Sequence, residues 1–106
     1  MAASVYKLFT VTALAPGATY HFIWNNVPAG GKACAVDAYG YNVGSTLEGF
    51  NNTTKVEVAH FVRRRRQIEK PGSIGVTVET HDDIEGDVKN VGAFKLDFDL
   101  FLVVFS

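Results

Sequence analysis

Two opposite charge clusters and one group of aromatic and amide residues are where this sequence could do chemistry. Arg63-Arg64-Arg65-Arg66 places four guanidinium groups in a row. Each is a rigid fork of donors that matches a carboxylate or phosphate, so an anion or an acidic partner is one reading. On an extended chain Arg63 and Arg65 share one face, and Arg64 and Arg66 share the other. The plainer reading is a solvated strand end whose charge discourages edge-to-edge aggregation. Five carboxylates follow within nine residues, Glu79, Asp82, Asp83, Glu85 and Asp87. Asp82, Asp83, Glu85 and Asp87 offer hard oxygen ligands of the kind calcium takes, and Gly86 permits a sharp turn. No glutamate closes a twelve-residue calcium loop, however, and short acidic loops are commonly just solvated. No metal and no other cofactor is therefore expected.

The third group is Trp24-Asn25-Asn26 with Tyr39-Gly40-Tyr41-Asn42. Sugars stack on aromatic faces and bond their hydroxyls to amides, so Trp24, Asn25, Tyr39, Tyr41 and Asn42 form a candidate glycan site. The competing reading places Trp24 and a tyrosine in the core and the asparagines in turns. His21, His60 and His81 lie in separate segments, which argues against zinc. His60 falls on the apolar face of its segment and is expected to be a hydrogen-bonded core or interface residue. Cys34 sits among small apolar residues and reads as a buried, inert thiol. No nucleophile elbow, phosphate-cradling loop or paired His–carboxylate motif is present, so the chain is not expected to be an enzyme.

The elements that must position these residues are short and punctuated. The 106 residues suit one domain, spanning 1–106. A 47% hydrophobic share excludes global disorder, and a net charge of −1 gives no general attraction to nucleic acid. No apolar run reaches the ~20 residues of a membrane helix. The N-terminus shows no signal peptide, and a single cysteine is compatible with the cytoplasm. Beyond that, the localisation is unknown.

Period-two patterns and turn residues predict strands over 5–13, 19–24, 33–41, 54–67 and 73–80, followed by an acidic loop over 81–87. A short extra strand is expected near 46–50. The clearest strand is the last. From Phe94 to Val104 every even position is apolar, while the odd positions run Lys95, Asp97, Asp99 and then Phe101, Val103, Phe105. The whole describes an all-β antiparallel sandwich of about seven strands, immunoglobulin- or fibronectin-III-like in broad architecture, with a small barrel as the alternative.

Phe101, Val103 and Phe105 need cover, from a neighbouring subunit or from a long loop of the same chain such as Gly40–Thr53. If the acidic segment is a loop beyond a short hairpin, it lies far from Arg63–Arg66, and the two clusters would meet only between subunits. The functional expectation is a non-enzymatic interaction module that forms a homo-oligomer through its C-terminal strand, with Phe101, Val103, Phe105 and Arg63, Arg64, Arg65 and Arg66 at the interface. A lectin-like carbohydrate-binding module is the alternative.

Overall fold

The computed structural model of the protein describes residues 2–41, 54–72 and 74–106. The alternating segments become strands β1 (Ala3–Leu14), β2 (Thr19–Trp24), β3 (Cys34–Tyr41), β4 (Val56–Gly72), β5 (Gly75–Asn90) and β6 (Leu96–Phe105). No helix occurs among the described residues, and so none there is long and apolar enough to cross a membrane. The strands form two antiparallel three-stranded sheets, ordered β1–β6–β3 and β2–β5–β4. The expected count of about seven becomes six among the described residues; the extra strand near 46–50 lies outside them.

The terminal strand is the centre of its sheet. Leu96, Phe98, Leu100 and Leu102 are at most 2% exposed, and Val104 is buried as well. Each such side chain contributes on the order of 1.5–3 kcal/mol by leaving water. The second sheet meets them with Phe22, Ile84 and Val88. Phe9 lies between the layers, its ring centroid 6.2 Å from Phe22 and 6.4 Å from Phe98. A glycine is needed at position 86, because a Cβ there would stand 2.9 Å from Phe22 Cζ.

The β4–β5 hairpin departs most from expectation. Its strands run 17 and 16 residues, and the ladder continues to Gly72 opposite Gly75. Residues 81–87 are therefore strand, not loop. A bulge between Ala59 and Val62, with His60 at φ 55°, inserts one residue and inverts the alternation. Before it, Val56 and Val58 face the core. After it the odd residues take that face, which leaves Val62 49% exposed on the outside. Residues 67–72 and 75–80 extend past the packed sheets as a two-stranded arm, and the molecule measures 69 × 30 × 19 Å.

Candidate functional site

The arm leaves the body through a dense ionic root. Asp83 is 2% exposed. Arg66 donates to it through Nε at 2.6 Å, Arg64 through Nη2 at 3.0 Å, and the Asn26 N–H at 3.0 Å. These donors hold its carboxyl far below the ordinary carboxylate range: Arg66 is the largest cause, then Asn26, acting against the opposite pull of burial. On the other face Asp82 pairs with Arg63 Nη2 at 3.3 Å and accepts from the Gly31 N–H at 3.3 Å. Arg63 also donates to the Lys32 carbonyl.

The acidic segment and the arginines are thus neighbours within one chain. The expectation that they lie at opposite ends is overturned by the length of the hairpin, which sets Arg63 opposite Ile84 and Arg66 opposite His81. Charges already paired and hydrogen-bonded at the root have less to offer a second subunit. Their structural effect is to fix the angle and register at which the arm projects.

Further out, Lys70 meets Glu79 at 2.9 Å and His81 meets Glu79 at 3.3 Å on one face of the arm. Lys70, ahead of His81, keeps the Glu79 carboxyl below its usual range. The other face carries Pro71, Val76 and Val78. Val76 is 63% exposed, Val78 56%, and Ile74 at the tip 99%.

The calcium candidates are divided. Asp83, Glu85 and Asp87 share the outer face of β5, and Asp82 turns to the opposite one. Asp87 is bonded by His21 Nδ1 at 2.7 Å and His60 Nδ1 at 3.0 Å, and these bonds, that from His21 foremost, lower its proton affinity. Glu85 lies 3.5 Å from His21 Nε2. Among the described residues no group of three or more His, Cys, Asp or Glu is placed to hold a metal ion. Of the expected hydrogen-bonded core or interface histidine, the core placement is corrected: His60 bonds to Asp87, but its side chain is 80% exposed because the bulge turns it out to solvent.

The glycan candidates are also separated. Trp24 stacks on Phe9, centroids 5.6 Å apart, along the β1–β2 side of the molecule. Tyr39 stacks on Tyr41 at 6.0 Å on β3, across β6 from β1. Tyr41 donates to Asp99 at 3.0 Å, which raises the pKa of its hydroxyl, while Tyr39 is 61% exposed. Asn25 is exposed beside Trp24, and Asn42 lies outside the described residues. Trp24 and the tyrosines do not form one site.

Phe101 and Val103 are half-buried on the outer face of β6, and Phe105 is exposed. Val5 lies directly opposite Val103 on that face. Because β1 and β3 occupy both edges of β6, this strand can meet another subunit only by its face. The Gly40–Thr53 loop expected as alternative cover falls, for 42–53, outside the described residues. The projection of the arm has no mark in the sequence: alternation through Val76 and Val78 predicts a strand over 73–80 but not that it runs on past the packed sheets. No family model, curated protein or solved structure matches this chain.

Proposed function

We propose that this chain is a non-enzymatic β-sandwich interaction module that assembles with copies of itself, and that the β4–β5 arm is its principal contact. The observation that carries this reading is an arm with no core of its own. Two-stranded ribbons are marginal in water, yet this one is anchored by arginines paired to the buried Asp83 while exposing Ile74, Val76 and Val78. The face of Phe101, Val103 and Phe105, extended by Val5, supplies a second apolar contact. Arg63, Arg64 and Arg66 serve this interface by positioning the arm.

Excision of the arm tests the reading. Replacing residues 67–80 by Asn-Gly joins Arg66 to His81 through a two-residue turn suited to a hairpin. The full chain is expected to sediment as an oligomer at micromolar concentration, and the excised variant as a folded monomer at concentrations ~100-fold higher. A full chain that stays monomeric throughout this range overturns the proposal.

One observation favours the carbohydrate reading as a second possibility: the exposed ring of Tyr39, stacked on Tyr41. It stands beside an open cleft lined by Gly40, Thr54, Lys55 and Glu57. A glycan array read with the wild type and with Tyr39→Ala checks it. Binding that Tyr39→Ala loses by tenfold or more, with the fold retained, is the result this reading requires.

A further inference from the structure

The backbone of the arm decides which of its edges is open. Asn90 exchanges hydrogen bonds with the β2 side, its carbonyl accepting from the Gly17 N–H at 2.8 Å and its N–H donating to Ala18 at 3.0 Å. The Asp82 carbonyl accepts from the Val27 N–H at 2.8 Å on that same side. Even-numbered residues of β5 therefore turn their peptide groups toward β2, and odd-numbered ones toward β4. The irregularity at Ala59/Val62 adds a residue to β4, so the alternation along β5 is unbroken. Beyond Asp82, Val76, Val78 and Thr80 direct N–H and C=O groups to an edge that no described strand occupies.

The opposite edge of the arm is protected. There Gln67, Glu69 and Pro71 point their peptide groups outward. Pro71 has no N–H and Glu69 adds charge, two devices that blunt an edge strand. The β5 edge, Val76-Thr77-Val78-Glu79-Thr80, has no proline and is mostly β-branched.

We propose that this open edge pairs with the same edge of a second copy, antiparallel about a two-fold axis at Thr77, to make a four-stranded sheet β4–β5–β5–β4. The inference rests on the self-assembly reading above and names the surface it uses. Hydrogen-bonding parity requires even residues to face even residues. Val27 already fills the edge beside Asp82, which limits how far the partner arm can advance. An axis at Val78 would bring Ile74 of the partner subunit level with Asp82, onto Val27. The axis at Thr77 is the deepest register that avoids this.

In that register Val76 faces Val78 of the partner subunit and Val78 faces the partner's Val76, so four valines form one apolar row. Thr77 meets the partner's Thr77, and Glu79 lies opposite the partner's Gly75, so no like charges are opposed. Ile74 of the partner subunit comes level with Thr80. Thr80 is one wall of a cleft of about 340 Å³ whose other walls include Asn26, Val27, Gly31 and Asp82. The edge from Ile74 to Thr80 thus complements itself in hydrogen bonding, side-chain character and charge, which favours a second copy over an unrelated strand.

Site-specific cross-linking in a Cys34→Ala background tests the register. Thr77→Cys is expected to form an intersubunit disulfide on mild oxidation, since facing residues of a non-hydrogen-bonded pair lie ~4.5 Å apart at Cα. Glu79→Cys, on the same face, is expected not to, because the two copies lie roughly 13 Å apart in this register, beyond disulfide reach of ~7 Å. Val78→Pro removes the donor aimed at the partner and leaves the β4 ladder intact. It is expected to raise the dissociation constant at least ~10-fold, with an unchanged circular dichroism spectrum. An oligomer in which Thr77→Cys fails to cross-link, or in which Glu79→Cys links equally well, overturns the edge pairing and leaves self-assembly standing. A chain monomeric at every concentration overturns both.

Discussion

Replacing Asn90 by alanine is expected to destabilise the protein by about 3–5 kcal/mol, although the residue touches no candidate site. Asn90 is fully buried at the end of β5. Its Nδ2 donates to the Leu14 carbonyl at 3.0 Å and to the Phe94 carbonyl at 2.8 Å, and its Oδ1 accepts from the Gly92 N–H at 3.0 Å. One amide thereby ties the end of β1 to the connection between β5 and β6. Alanine leaves two carbonyls and one N–H without partners, at roughly 1–3 kcal/mol for each group that water does not reach. Urea denaturation measures the loss. A change below about 1 kcal/mol would show that water takes over these bonds.

The second large effect is expected at Asp83, and its signature is pH dependence. Its folded-state pKa is depressed, principally by the bond from Arg66. Such a group contributes stability that is fully present above the unfolded pKa of ~3.9 and is lost as pH falls below it toward the folded value. Wild-type denaturation midpoints should therefore hold from neutral pH down to about 4–5 and decline steadily below that. Asp83→Asn should lower the midpoint at pH 7 and flatten the acid decline, so that the two curves converge in acid. Asp87 and Glu79, also depressed, leave a residual slope in both proteins. Arg66→Ala should be more damaging than Arg64→Ala, because Arg66 makes the shorter bond and is the less exposed of the two, 39% against 60%. Parallel acid curves for wild type and Asp83→Asn would refute the assignment.

Much of the architecture was legible in the residues themselves. Alternation over Leu96 to Val104 named a strand and its buried face, and Gly and Pro punctuation located β1, β2 and β3 closely. Side-chain direction in a strand has period two, so a one-sided apolar pattern is sufficient to state which residues face the core. The all-β class and the absence of a long apolar helix among the described residues followed from the same local rule.

The candidate site was not legible, for three physical reasons. Pro71-Gly72 is a turn signal, and a turn signal does not say how far a ladder continues on either side. The acidic run lacks an apolar face, so nothing local marks it as strand; pairing with β4 makes it one and sets Asp83 beneath Arg64 and Arg66. The bulge at His60 lies where β4 passes Gly86 of β5, and it reverses every assignment of face downstream of it in β4. By itself the sequence determined where β1, β2, β3 and β6 lie and which face of β6 is buried. Only the tertiary structure decided the length of the hairpin, its charge pairing and its open edge, because these depend on registers between segments distant in the chain, which no local period encodes.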